Sequence, residues 1–257
     1  MKIHVLGSLS GMEPHVNRHH TSWVLELDNG SLYWFDAGEC CSETAYLMGM
    51  DLFNLRAVFI SHPHYDHFGG LLNLFSVYRK MYAIEQDTTE RSFEIFMPVD
   101  DLWEPFKDIC CKVAAYPSYT EVNDHVLSDG GFFKNDEIMV EFMGNRHIAV
   151  GDGEPFKSFS FRITAENKTI VYSGDLGSTE ELLEWSRNCD CLLMESGHHH
   201  PWEVCQYWQD NSCNIGKVIF MHHGRDVIYM PTETAIRCRR VIGNKVFFAE
   251  DRQCWEL

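Results

Sequence analysis

The stretch His62-Pro63-His64-Tyr65-Asp66-His67 places three imidazoles and a carboxylate within six residues. It follows the apolar run Ala57-Val58-Phe59-Ile60, which reads as a strand. One regular helix or strand cannot aim all four side chains at a single ion, whereas a loop at a strand end can divide them between two. Mixed His/Asp donors around two cations are what a hydrolase uses to hold a hydroxide and polarise an oxyanion. A histidine-rich surface turn would account for one or two of these residues; four in this order point to metal.

Working outward, further donors stand at the ends of other strand-like runs. His147 lies just beyond Ile138-Met139-Val140-Glu141-Phe142-Met143, and Asp175 follows Ile170-Val171-Tyr172 in a Ser173-Gly174 turn. His222 comes directly after Val218-Ile219-Phe220-Met221, and a strand exit of fixed length favours it over the adjacent His223. One His or Asp at the same end of successive strands is how a layered α/β protein assembles a site on its rim.

The remaining pattern is strands first, then strands alternating with helices. Strands are expected over 3–6, 23–27, 32–35, 57–60, 93–97, 138–143, 158–164, 169–172, 191–194, 217–221 and 245–248, with Asp28-Asn29-Gly30-Ser31 as a hairpin turn. Helices are expected over 41–49, 70–80, 102–111, 179–187, 201–210 and 232–240, the fourth opened by Ser178. The segment from Tyr82 to Asp129 carries the weakest pattern. Turns are read at Asp129-Gly130-Gly131 and Asp152-Gly153. No repeat or linker divides the chain, so one domain over residues 1–257 is expected, two sheets packed face to face with helices outside.

Bulk properties narrow the function classes. With 257 residues, 45% hydrophobic and 13% aromatic, the chain can bury a sizeable core. It contains no run long enough to span a membrane, and its first residues lack the pattern of a secretory signal, so a cytoplasmic location is expected. The ten cysteines form no C-x-x-C pair, and the vicinal pairs Cys40-Cys41 and Cys110-Cys111 are poor disulfide partners, so they read as reduced, packing thiols. The net charge is −17. Extended docking on nucleic acid wants a basic face, and the one short run, Arg237-Cys238-Arg239-Arg240, looks like the polar side of a helix. A metal pair would add local positive charge, so a small anionic substrate fits; the oligomeric state is left open.

These residues resemble the metallo-β-lactamase fold superfamily over nearly the whole chain. Within it the likeness is nearest to ribonuclease Z and its small phosphodiesterase relatives. That branch rests on Leu6-Gly7-Ser8, on Arg18 before Thr21-Ser22, on Phe35-Asp36-Ala37-Gly38 and on Phe248-Ala249-Glu250-Asp251. The resemblance implies an α/β fold of the four-layer αβ/βα sandwich kind. It also implies two divalent metal ions, zinc first, with manganese or iron compatible with the same donors. Carried over, His62, His64 and His147 would hold one ion, Asp66, His67 and His222 the other, and Asp175 would bridge them. Asp36 resembles the carboxylate that orients a ligand imidazole. His64 stands where flavodiiron-type relatives usually carry a carboxylate, and no cysteine occupies a ligand position as in many exported β-lactamases.

The implied reaction is hydrolysis by a metal-bridging hydroxide, which Asp66 would orient while ligating, with phosphodiesters as the first substrate class. Lactone, ester or thioester hydrolysis is the alternative, and a catalytically silent metal-binding scaffold the second. Ribonuclease Z usually carries a long basic arm between the third ligand and the bridging Asp. Only a short segment with Asp152, Glu154 and Glu166 occupies that interval here. His200, preceding Pro201 at a helix start, resembles the family's proton-donating histidine, with Glu195 close enough in sequence to orient it; a solvated capping histidine is the other reading. His198 and His199 read equally as a metal tract or as solvated residues.

Overall fold

The computed structural model describes residues 1–257, and the chain divides into two compact units. The first comprises Met1–Gly7, Pro14–Leu127 and Asp251–Glu256. Its elements are β1 (Lys2–Gly7), β2 (Ser22–Glu26), β3 (Leu32–Phe35), α1 (Cys41–Leu47), β4 (Leu55–Phe59), α2 (Tyr65–Phe68), α3 (Leu71–Ile84), β5 (Arg91–Met97), α4 (Trp103–Lys112) and β6 (Thr120–Val126). They form one sheet in the order β1-β2-β3-β4-β5-β6, extended beyond β1 by the C-terminal strand Cys254–Glu256. Pairing is antiparallel from that strand to β3 and parallel from β3 to β6.

Both faces of this sheet carry buried apolar side chains. Val24, Trp34, Val58 and Ile95 meet the buried stripes of α1, α3 and α4, among them Ala45, Leu74, Phe75, Tyr78 and Phe106. The opposite face carries a ladder of stacked rings. Trp23–Phe35, Phe35–Phe59, Phe59–Phe96 and Phe96–His125 lie 4.4, 4.9, 4.7 and 4.7 Å apart between centroids, one step per strand from β2 to β6. Such cross-strand aromatic pairs pin register. The ladder therefore fixes the end of β4, from which the His62–His67 loop departs.

The second unit comprises Ser8–Glu13, Ser128–Glu250 and Leu257. It contains β7 (Phe132–Lys134), β8 (Ile138–Gly144), β9 (Phe159–Ala165), β10 (Lys168–Tyr172), α5 (Leu183–Ser186), β11 (Cys191–Ser196), α6 (Pro201–Asp210), β12 (Lys217–His223), α7 (Arg225–Tyr229), α8 (Pro231–Ile242) and β13 (Val246–Phe248). Its sheet runs β13-β12-β11-β10-β9-β8-β7, antiparallel from β7 to β10 and parallel from β10 to β13. Val204, Cys205 and Trp208 of α6 and Cys238 of α8 pack on Leu192, Met194, Val218 and Phe220. Arg239 and Arg240 are exposed in the last turn of α8, where cations complement the helix dipole.

The expected elements are found, with three corrections. The helix expected over 179–187 is a 3-10 turn, Thr179–Leu182, followed by the single turn α5. Arg187 is already extended and Asn188 has φ 59°, because the chain must turn sharply into β11. The strand expected to stop at Met221 continues to His223. Between Tyr82 and Asp129 lies β6, Thr120–Val126, whose polar Thr-Glu-Val-Asn-Asp-His-Val sequence suits an outer strand paired only with β5 and gives little apolar alternation to read. No helix is long and apolar enough to cross a membrane. All ten cysteines are thiols; Cys41, Cys110 and Cys189 are buried, and desolvation pushes each up to about 12.

Candidate metal centre

In the first unit the donors sit where β4 gives way to its loop. His62 and His67 are fully buried, with rings 4.1 Å apart. Nε2 of His62 and Nδ1 of His64 approach to 3.0 Å. Two ligands of a tetrahedral zinc with Zn–N of ~2.0–2.1 Å lie ~3.3 Å apart, so this pair has the spacing of nitrogens that share one ion. Asp66 and His67 come from the single turn α2, which places Asp66 Oδ2 3.6 Å from His67 Nε2.

Asp36 locks this loop from below. It sits just after β3 in the left-handed region, φ 57°, a conformation that Asp tolerates better than most residues. Its carboxylate accepts Ser61 N–H at 2.7 Å, Ser61 Oγ–H at 2.9 Å and His67 Nδ1–H at 2.7 Å. With Nδ1 held, Nε2 is the nitrogen that His67 offers outward, as a ligand imidazole requires.

In the second unit three strand ends converge on Asp175. Gly174, φ 54°, makes the turn after β10 that a side chain would strain, and Asp175 emerges almost fully buried. Its Oδ2 lies 3.3 Å from His222 Nε2 and 3.6 Å from His147 Nε2. Those separations exceed the ~2.7–2.9 Å of a charge-assisted hydrogen bond. They match the edge of a coordination tetrahedron, with one carboxylate oxygen facing two imidazoles.

His222 owes its direction to a β-bulge. Met221 pairs with Glu195 and His223 with Ser196, so His222 is the extra residue, held at φ 51°. Bulges re-aim side chains beside functional sites, and a non-glycine strand residue in a left-handed conformation carries backbone strain. Gly197 makes room for the ring: a Cβ there would lie 2.6 Å from His222 Nδ1. His223 is turned to other work, with its Nδ1 2.9 Å from Ser196 Oγ and its Nε2 2.8 Å from the Ala249 carbonyl oxygen.

Glu195 does not reach His200. Its fully buried carboxylate accepts the backbone N–H groups of Gly197 and His198, both at 2.9 Å, and lies 3.2 Å from His198 Nδ1. Burial works to raise its pKa, but the hydrogen bond with His198 and the attraction of the nearby His222 imidazole prevail and hold it well below the usual carboxylate range. The hydrogen bond to Glu195 raises the pKa of His198 in turn. Glu195, His198 and His222 present donor atoms that all lie within 4.8 Å of one another. His198, whose sequence context reads equally as metal tract or solvated residue, thus belongs to this cluster. His199 turns to the Leu176 carbonyl, 3.3 Å from Nε2. His200 precedes α6 as its N-cap, makes no side-chain cap, and pairs instead with Asp226 of α7, which lies four residues beyond His222 and offers no spacing signal of its own.

Between His147 and Asp175 the chain forms a loop and the β9–β10 hairpin. The interval is thereby used within the sheet itself.

Residues 1–227 match the family described as anti-Pycsar protein Apyc1. The ribonuclease Z of Picrophilus torridus is 24% identical over 233 residues, covering 76% of this chain and 73% of that protein. Other ribonuclease Z relatives are spanned over about half their length. The metallo-β-lactamase fold protein YhfI from Bacillus subtilis superposes with a TM-score of 0.74 at 19% identity over 99% of both chains. The short form of human tRNase Z gives 0.72 at 17% identity, over 100% of this chain and 99% of that one. The α/β class and the metallo-β-lactamase fold expected from the sequence are those of the structure, and the relatives include ribonuclease Z. The chain has the metallo-β-lactamase fold and belongs to the anti-Pycsar protein Apyc1 family.

Proposed function

We propose that this chain, acting as one cytoplasmic domain, is a dinuclear metal-dependent hydrolase of small phosphodiesters. The coarser reading, a metal-dependent hydrolase of the metallo-β-lactamase family, rests on the donor clusters and the ribonuclease relatives. The finer one is carried by the placement of Asp175 Oδ2 between His147 and His222, the arrangement a bridging carboxylate needs. In this reading His62, His64 and His147 hold one ion, Asp66, His67 and His222 the other, and Asp175 serves both. Zinc suits these nitrogen and oxygen donors, as do manganese and iron. Bound metal lowers the pKa of water from 15.7 toward ~7 and polarises a phosphoryl oxygen.

The protein's own groups supply the rest. Asp66 orients the attacking water while ligating. His200 gives a proton to the departing alkoxide, a step that no ligating residue can perform while bound through its basic atom. The net charge of −17 disfavours long polyanions, and the short interval from His147 to Asp175 leaves no basic arm to clamp tRNA. Small diesters fit both facts.

The test is turnover of bis(p-nitrophenyl) phosphate by metal-loaded protein beside a lactone and a thioester panel and a precursor tRNA. Diester turnover alone supports the reading. Turnover confined to lactones or thioesters would replace it with carboxyl-ester chemistry, and accurate cleavage of the precursor tRNA at physiological salt would overturn the size preference.

A further inference from the structure

Three elements of the second unit converge on the imidazole of His200. The residue has extended backbone, φ −69° and ψ 119°, with Pro201 at the first position of α6. Its ring stacks on Trp202 at 4.8 Å between centroids and 14° between planes. From α8, the Arg237 guanidinium lies 3.4 Å from the centroid of the Trp202 ring. From α7, Asp226 Oδ2 lies 2.5 Å from His200 Nδ1.

Asp226 is itself well held. Its backbone carbonyl accepts the hydroxyl of buried Thr234 at 2.8 Å and the N–H of Met230 at 3.2 Å. The rest of α7 is tied down through Tyr229, whose hydroxyl donates to Glu13 at 2.9 Å. An exposed ion pair between two mobile side chains contributes little. Here the ring rests on a stacked platform and the carboxylate on a fixed turn, so the pair has a defined direction. Glu195 cannot serve in its place, because its oxygens are committed to Gly197 and His198.

We propose that Asp226 is the positioning residue for His200, with Trp202 and Arg237 as the platform that sets the plane of the ring. The inference rests on the reading of His200 as proton donor. Asp226 takes Nδ1–H, which leaves Nε2 as the nitrogen that carries the donated proton. As the P–O bond breaks, the electron pair stays on the leaving oxygen and the imidazolium transfers its Nε2 proton there. The neutral ring keeps Nδ1–H on Asp226, which remains a carboxylate throughout, and Nε2 is reprotonated from water across the exposed edge of the ring.

The experiment uses the full metal-loaded chain with His200→Ala, Asp226→Ala, Asp226→Asn and the double variant Asp226→Ala/His200→Ala. Two probes are compared: bis(p-nitrophenyl) phosphate, whose leaving group scarcely needs a proton, and a dinucleoside monophosphate, whose leaving group does. The ¹⁵N shifts of His200, assigned by their loss in His200→Ala, report its tautomer. Asp226→Ala should lose ~10²-fold in kcat on the dinucleoside, as misplacement of a catalytic group does, with little change in KM or on the nitrophenyl diester. It should also lose the Nδ1–H tautomer, which Asp226→Asn keeps through its amide oxygen, and the double variant should be no slower than His200→Ala. If His200→Ala is impaired while Asp226→Ala matches wild type in tautomer and in dinucleoside turnover, the positioning role is wrong and the acid stands. If His200→Ala turns over both probes normally, the acid reading itself falls.

Discussion

Asp36 and His67 form a fully buried carboxylate–imidazole pair, with Nδ1–H of His67 donating to Asp36 Oδ2 at 2.7 Å. The same carboxylate grips the backbone and hydroxyl of Ser61, so one side chain sets both the path of the ligand loop and the face of one ligand. Asp36→Asn keeps the size and the tolerance for φ 57° but removes the charge that makes His67 a better donor. Metal affinity should fall ~10–100-fold with the fold intact. Competition against a chromophoric chelator, beside a circular dichroism spectrum, measures it; unchanged affinity would show that the pair is only structural.

Phe59 stands at the middle of the ring ladder, stacked on Phe35 and Phe96 and fully buried as the last residue of β4, just before the ligand loop. Phe59→Ala removes two stacked contacts and leaves a cavity in a sheet that is apolar on both faces. It should cost ~3–5 kcal/mol in urea unfolding. A loss below ~1 kcal/mol would mean that the ladder relaxes freely and does not hold the register of β4.

The Glu195–His198 pair makes a pH signature for the chelator-treated protein. Its hydrogen bond to Glu195 raises the pKa of His198 above its ordinary value, so the stability it contributes is complete below ~pH 6.5 and is lost as pH rises through the raised value. Glu195 is held low, so its own contribution is present above the ordinary carboxylate pKa and is lost as pH falls through the depressed one. Glu195→Gln should therefore destabilise the metal-free protein more at about pH 6 than at about pH 9. Equal losses by urea unfolding at the two values would remove the pair as the cause.

Much of this was legible in the sequence because the donors stand directly after apolar runs. The end of β4 marks His62 and the end of β10 marks Asp175, and periodicity alone finds both strands. The sequence favours His222 over His223 from the strand's end, whereas β12 runs on to His223 and a bulge inside it sets the direction of His222. No periodic signal announces a bulge, since it is set by pairing with β11. Glu195 stands close to His200 in sequence, whereas the turn after β11 folds His198 back over it. Asp226 gives no sequence signal, because a lone acid on a five-residue helix carries meaning only through its packing. The polar strand β6 was unreadable for a related reason, since its place in the sheet depends on pairing with β5 and not on an apolar face.

Asp175 faces both His147 and His222. Two dications held close without an anion between them repel strongly, so Asp175→Ala should release or greatly weaken one ion and abolish hydrolysis. Metal content by elemental analysis, taken together with diester turnover, decides it. Retention of both ions with near-normal rates would show that another group does the bridging.

The most direct measurement is the metal content of the wild-type protein, purified without chelator and reconstituted with zinc or manganese. The seven donors at His62, His64, Asp66, His67, His147, Asp175 and His222 should hold two ions per chain, found by elemental analysis against protein concentration. A ceiling of one ion per chain after full reconstitution would contradict the dinuclear centre on which the proposed chemistry depends.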